Sequence, residues 1–287
     1  MKSAPKRKQS TMTPTEPTSV AVAGDWHGNA SWAIKCIRHL AEHADVTLLL
    51  HLGDFGYMGE GFDRYLHKVS REAAKAGVTI WVLPGNHENY DWLAKQPVDN
   101  QGRTITSHGI LALPRGYRFT VAGVTFCAVG GAVSVDKGRR TFGRSWWPQE
   151  EITETEANAI SAGPPVDVLL THDAPMGCAT PRMDRRSFLD WVGPVVASEA
   201  DAHQVRLRNI VDALHPRLLL HGHMHARYSE TVEWVTPDYK PYTCRIEGLA
   251  CDDMEGNQIL LDLTDPTNLT VTDLTPPLSK GPRFRDD

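Results

Sequence analysis

The stretch from Trp81 to Glu88 limits the possible folds more than any other. Trp81, Val82 and Leu83 form a short apolar run with β-branched and aromatic residues, the pattern of a buried strand. The run stops at Pro84-Gly85, a turn signal, and then presents Asn86, His87 and Glu88 in succession. The arrangement recurs: apolar runs also end in Gly24-Asp25-Trp26-His27, in Gly53-Asp54-Phe55-Gly56, in Thr171-His172-Asp173 and in Gly222-His223-Met224-His225. Open α/β sheets place their chemistry just beyond the carboxyl ends of such strands.

The first three runs, at 19–23, 46–51 and 78–83, alternate with helical patterns, which implies a parallel sheet with helices on its faces. The first helix carries Ala33, Cys36, Ile37 and Leu40 on one face, with Asn29 or Ser31 to cap it. The second spans about 64–76 and stops at Gly77. From His108 the character changes. Short runs at 109–113, 117–121 and 124–129 are separated by Gly and Pro, and Ala122-Gly123 suits a hairpin, so antiparallel strands join. A Gly/Arg/Trp-rich loop at 130–150 leads to a short helix at 150–160 and a strand at 166–170. Residues 176–197 read as a long basic loop or lid, followed by an amphipathic helix at 200–214 and a strand at 217–220. Four short strands are expected near 231–235, 242–249, 258–263 and 269–274. Residues 1–17, rich in Lys, Ser, Thr and Pro, read as a disordered tail, 18–275 as one domain, and 276–287 as a flexible end.

Composition narrows the class. A net charge of -5 disfavours a general nucleic-acid or membrane surface. No apolar run approaches the roughly 18 residues of a membrane span. The basic N-terminus lacks the apolar core of a secretory signal. The five cysteines form no C-x-x-C pair and read as reduced thiols in a cytoplasmic protein. Thirteen histidines are many for 287 residues, and most of the informative ones sit at strand ends.

If each of the five loops follows a strand, folding can gather Asp25, His27, Asp54, Asn86, His87, His172, His223 and His225 at one edge. These are O and N donors suited to Mn, Fe, Zn or Ni, with no cysteine as a structural zinc would have. Asp-x-His and His-x-His put two side chains on the same side of an extended backbone, within reach of one ion. The donors exceed what one tetrahedral ion needs, so two ions bridged by a carboxylate fit better. Taken singly, each residue has a plainer reading: a strand-end histidine caps or faces solvent, and Asp54 makes an Asx-turn. Those readings must hold independently at five loops. His221 is read as structural, and His203 and His215 as surface groups.

In order, Gly24-Asp25-Trp26-His27, Gly53-Asp54, Gly85-Asn86-His87-Glu88, His172 and Gly222-His223-Met224-His225 resemble the five motifs of the calcineurin-like metallophosphoesterases over about 200 residues. The resemblance implies a four-layer α-β-β-α sandwich with two mixed β-sheets and a dinuclear site at the strand ends. It implies that Asp25, His27 and His225 hold one ion, that Asn86, His172 and His223 hold the other, and that Asp54 bridges them. His87, beside a ligand, would stabilise equatorial charge or protonate the leaving oxygen. The reaction implied is in-line attack of a metal-bridging hydroxide on a small phosphodiester, a cyclic nucleotide or a nucleotide. A phosphomonoesterase, a phosphoprotein phosphatase or a nuclease is the alternative, and a non-catalytic scaffold of the same fold a more remote one.

There is one departure. Many relatives continue the second motif as Gly-Asp-x-x-Asp-x-Gly, often with Arg before the last Gly; here Tyr57 and Met58 stand at those places. The change removes an expected orienting partner for His87 and argues against the protein phosphatase branch. The 130–150 stretch resembles what small microbial or phage members carry. Arg139, Arg140 and Arg144 in that loop, and Arg182, Arg185 and Arg186 in the next, are guanidinium forks suited to phosphate, with Arg140 the choice for a substrate contact. Trp146 and Trp147 either pin the loop or stack on a nucleobase.

Overall fold

The computed structural model describes residues 18–58, 61–180, 185–236 and 238–278. Thirteen strands are described, in two sheets. In chain order they are β1 (Ser19–Ala23), β2 (Leu48–His51), β3 (Thr79–Val82), β4 (Thr104–Ser107), β5 (Ile110–Ala112), β6 (Tyr117–Val121), β7 (Val124–Val129), β8 (Val168–Thr171), β9 (Leu218–His221), β10 (Tyr228–Val235), β11 (Pro241–Gly248), β12 (Gln258–Asp262) and β13 (Thr270–Asp273). The helices are α1 (Ala30–His43), α2 (Phe62–Ala76), α3 (Tyr90–Leu93), α4 (Glu154–Ser161) and α5 (Arg185–Leu214).

One sheet has the order β13-β12-β1-β2-β3-β5-β4, the other β10-β11-β9-β8-β7-β6. Each has a parallel centre and antiparallel margins: β1, β2, β3 and β5 run parallel, as do β7, β8, β9 and β11. The sheets are therefore both mixed, as the resemblance implies.

Period-two alternation builds the layers. Val20, Val22, Leu50 and Leu52 from the first sheet meet Phe126, Ala128, Leu170 and Leu220 from the second in one buried cluster. The alternate residues Ala21, Ala23 and Leu49 face Trp32, Cys36, Ile37 and Leu40 of α1 and Leu66 and Val69 of α2. Cys127, Leu169 and Leu219 face α4 and Leu207, Ile210, Val211 and Leu214 of α5. Helix, sheet, sheet and helix follow in four layers. Truncating a wholly buried residue such as Leu50 to Ala costs about 2–5 kcal/mol by cavity formation.

Local signals set the helix ends. The Asn29 side chain accepts from Trp32 N at 3.1 Å and caps α1. Gly77 closes α2 in the left-handed region. Thr153 and Glu156 form a reciprocal capping box on α4. Ala122 and Gly123, both at positive φ, make the β6–β7 hairpin.

One sequence expectation needs correction, and two short elements had no sequence signal. The stretch expected as a basic loop over 176–197 is helical from Arg185 onward. Gly193 (φ 80°, ψ 162°) and Pro194 only kink α5, because proline suits the first turn of the helical segment that follows it. β4, with its bulge between Ile105 and Ser107, and the single turn α3, capped by Asn89, were too short to carry a periodic signal. At the start of the carboxyl end expected over 276–287, Pro276 is buried and the Pro277 carbonyl accepts from Lys35 Nζ. Residues 1–17 and 279–287 lie outside the described residues. Among the described residues no helix is long and apolar enough to cross a membrane.

Candidate metal centre

Asp25 and His27 follow β1, Asp54 follows β2, Asn86 and His87 follow β3, His172 follows β8, and His223 and His225 follow β9. All five strands are parallel within their sheets, so the loops emerge at the same end. His27, Asp54, His223 and His225 have φ of 45°, 50°, 60° and 52°. They are four of the eight described non-glycine residues at positive φ. Backbone strain is thus concentrated where the donors turn inward, each such residue costing on the order of 1–3 kcal/mol.

The donors form two groups, within each of which one ligand atom per residue lies within 4.8 Å of the others: Asp25, His27 and His225, and Asp54, His172 and His223. In the first, Asp25 Oδ2 is 3.2 Å from His225 Nε2 and 4.0 Å from His27 Nε2. In the second, Asp54 Oδ1 is 3.4 Å from His172 Nε2, and Asn86 Oδ1 joins at 2.9 Å from that nitrogen. Asp54 Oδ2 turns the other way, 3.7 Å from His27 Nε2. One carboxylate faces both groups.

The imidazoles are oriented from behind. His172 Nδ1 donates to the Leu52 carbonyl at 2.7 Å, an acceptor only, which turns Nε2 to the donor group. His27 Nδ1 pairs with Asp252 Oδ1 at 2.9 Å, and Asn29 holds Asp252 Oδ2 at 2.7 Å. Asp54 Oδ1 accepts from the His87 N–H at 2.8 Å. Glu88 accepts from Phe55 N and Tyr57 N and so ties the second loop to the third.

The electrostatics are those of buried anions in want of cations. Burial would raise the carboxyls of Asp25 and Asp54, yet histidines hold both well below the usual range: His225 and His172 at Asp25, His172 and His87 at Asp54. Burial opposes protonation of His172 and His225, but the same carboxylates push them up to about 9 and about 11. Burial takes His223 down to about 4, leaving a neutral ring nitrogen. Protons on His172 and His225 supply the positive charge that a pair of cations would replace. The donor set of carboxylate, amide and imidazole fits such ions, and the buried carboxylates have no Lys or Arg partner among the described residues.

A cavity of about 980 Å³ opens over these groups, lined by His27, Asp54, Asn86, His87, His223 and His225 on one side and by the start of α5 on the other. A smaller one of about 440 Å³ beside Tyr90 and Arg115 contains none of the donors.

Other expected residues are distributed less simply. Arg140 Nη2 lies 2.8 Å from the ring nitrogens of His87 and its Nε donates to Asp136 Oδ1 at 2.7 Å, while Arg139 lines the cavity. Arg140 therefore flanks the His87 ring; Tyr57, standing in the place of the expected Asp, is buried, its hydroxyl 3.1 Å from Thr106 Oγ1. Arg185 also reaches the cavity, Arg144 is exposed, and Arg182 lies outside the described residues. Trp147 is buried and Trp146 donates to Glu150 Oε1 at 2.9 Å, so both pin the loop and neither lines the cavity. His215 is exposed, but His203, expected at the surface, is wholly buried with Nδ1 3.3 Å from Asp173 Oδ2. Its helix face is apolar on both sides, a signal the polar side chain obscured. His221 is buried and pairs with the Tyr228 hydroxyl. The sequence reading missed Asp252 and Ser134, which touch His27 and Asn86 from behind, and Glu150, which holds Ser134; none belongs to a pattern around it.

The family model of the calcineurin-like phosphoesterases matches residues 18–227. No curated protein matches the sequence. Among solved structures, the protein TT1561 of Thermus thermophilus is similar with a TM-score of 0.53 at 13% identity, covering 91% of this chain and 100% of that one. The phosphopantetheinyl hydrolase of Mycobacterium tuberculosis follows with a TM-score of 0.41 at 14% identity, covering 82% and 90%. The NAD nucleotidase of Haemophilus influenzae gives 0.41 at 14%, covering 88% of this chain and 54% of that one. The family match begins at the first strand and ends just past His225, so it encloses every donor that the fold gathers at one edge, and the chain belongs to the calcineurin-like phosphoesterases, hydrolases of phosphoric esters.

Proposed function

We propose that this chain hydrolyses small phosphodiesters, cyclic nucleotides among them, or nucleotides, at a pair of transition-metal ions. Asp25, His27 and His225 would hold one ion, Asn86, His172 and His223 the other, and Asp54 would be shared. The observation that carries this reading is the divided carboxylate of Asp54, with Oδ1 3.4 Å from His172 Nε2 and Oδ2 3.7 Å from His27 Nε2. Oxygen and nitrogen donors suit Mn2+, Fe2+ or Fe3+, Zn2+ or Ni2+, and Mn2+ is the ion of first choice. When bound, such a pair lowers the pKa of water and neutralises charge on the phosphoryl oxygens.

The chain's own residues do the rest. His87 lines the cavity 4.0 Å from Asp54 Oδ2, placed to steady an equatorial oxygen or to protonate the leaving oxygen. Arg140 holds that ring and adds positive charge at its edge. Arg139 brings a guanidinium fork to the same cavity. A net charge of -5, with Asp136, Asp173 and Asp201 around the opening, opposes a nucleic-acid groove and favours a small substrate. The buried free thiols Cys36, Cys127 and Cys244 suit a reducing, cytoplasmic compartment.

Metal analysis after Mn2+ loading is expected to return a pair of ions per chain. The loaded protein should turn over bis-p-nitrophenyl phosphate faster than p-nitrophenyl phosphate and leave single-stranded DNA intact. A chain that binds no metal and stays inactive with Mn2+ is a scaffold instead.

A further inference from the structure

Across the cavity from the donor loops, the wall is the first half of α5, and there its chemistry changes. Phe188 and Trp191 line it, their ring centroids 6.3 Å apart and their planes at 64°. Trp191 is 49% exposed. An indole left half in water beside a second ring is an apolar surface that a ligand can cover. Val133, Val135 and Met224 carry the apolar lining back toward the donors. Charge shares the wall: the Arg185 guanidinium is paired with both Asp201 oxygens at 3.0 and 2.6 Å, and lies 5.9 Å from the Phe188 ring. Arg139 lines the cavity and makes no ion pair among the described residues.

A phosphoryl group alone fills little of about 980 Å³, a volume at the upper end of pockets that enclose a whole small-molecule ligand. From this we infer that the cavity contains a distal subsite, in which Phe188 and Trp191 receive the base of a nucleotide whose phosphate sits at the donor loops. The inference deepens the hydrolase reading above and rests on it. Stacking on an aromatic face accepts any base, because every base has a π-surface. A purely aliphatic group fits less well. It would bury the Arg185–Asp201 pair and Arg139 against hydrocarbon, whereas the ring nitrogens and exocyclic groups of a heterocycle can hydrogen-bond to them.

The test compares two ligands that differ by the base. Adenosine 5′-phosphate and ribose 5-phosphate share the sugar and the phosphate. Their affinities for the Mn2+-loaded protein are read by titration calorimetry, or as KM for whichever is turned over. The wild-type chain is expected to prefer the nucleotide by about 5- to 150-fold, the range that base–aromatic stacking provides. Trp191→Ala and Phe188→Ala should erase that preference, Trp191→Phe should keep most of it, and all three should leave ribose 5-phosphate binding unchanged. Equal affinity for the two ligands in the wild-type chain, or parallel loss of both in the variants, overturns the subsite. Base preference in a protein that hydrolyses no phosphoester leaves the subsite standing and removes the hydrolase reading. Hydrolysis without base preference does the reverse.

Discussion

Asn86 Nδ2 donates to Ser134 Oγ at 3.1 Å, and that contact decides which end of the Asn86 amide faces the His172 ring and the candidate metal centre. Ser134 Oγ donates in turn to Glu150 Oε2 at 3.0 Å, and Ser134 N donates to Glu150 Oε1 at 2.8 Å. With its proton committed to the carboxylate, the hydroxyl is left as an acceptor. It can take only the NH2 end of Asn86, so Oδ1 turns toward His172.

Ser134→Ala therefore frees the amide to flip without altering a ligand. The expected result is a 10- to 100-fold weaker second cation, the usual range for a residue that orients a ligand from behind. The first cation should be nearly unaffected. Titration of metal-stripped protein with Mn2+ checks this, and equal weakening of both ions would show that Asn86 is not held this way.

His87 tests the division of labour between donors and acid. It shares a cavity with the donors but belongs to neither group. His87→Ala is expected to lower turnover by about 10²- to 10⁴-fold while the Mn2+ content stays the same. Metal loss in that variant would make His87 a ligand.

The pH dependence of stability follows from His172, whose pKa Asp54 lifts to about 9 against burial. A raised imidazole binds its proton more tightly in the folded chain, so its contribution is full below the unfolded value of 6.5 and is lost as pH climbs through 9. In metal-free protein the melting temperature should fall across that window, by an amount equivalent to on the order of 1–3 kcal/mol. Saturating Mn2+ replaces the proton's charge and should flatten the curve. A metal-free curve that rises with pH would contradict this account of the centre.

Much of this centre was legible from the sequence because strand, turn and donor lie within a few residues of one another. Asp25 and His27 are separated by one residue and fall in the same donor group, whereas His223 and His225, equally spaced but with left-handed backbone, are divided between the two groups. The sheets were legible for the same reason, since Val20, Val22, Leu50 and Leu52 alternate with the helix-facing residues. What escaped is whatever depends on closure of the fold. Asp252 reaches His27 across 225 residues, and Glu150 reaches the Asn86 loop through Ser134. No local pattern marks either carboxylate. The start of α5 escaped for a different reason: Gly193-Pro194 reads as a chain break, so the residues before it, from Arg185, read as loop, although the helix after it was expected. His203 was misplaced because a polar side chain on an apolar helix face is read by type, whereas Asp173 makes its burial tolerable.

The close packing of the second and fourth loops gives a last prediction. Gly53 has φ +105°, and a Cβ placed there would strike the His172 ring and the Gly85 backbone. Gly53→Ala thus combines backbone strain of roughly 1–3 kcal/mol with displacement of the imidazole that faces Asp54. Gly102 provides the contrast. It too has positive φ (+83°), but a Cβ there meets nothing within 4 Å. Gly102→Ala should cost only the backbone term, about 1 kcal/mol, which is a fall of roughly 2–4 °C in Tm for a chain of this size. Gly53→Ala should fall further and also lose affinity for the cation held by Asn86, His172 and His223. Calorimetric melting and Mn2+ titration of the two variants separate the effects. Equal melting shifts with intact metal binding in both would mean that the His172 loop yields freely, and that the tight approach at Gly53 does not position the imidazole.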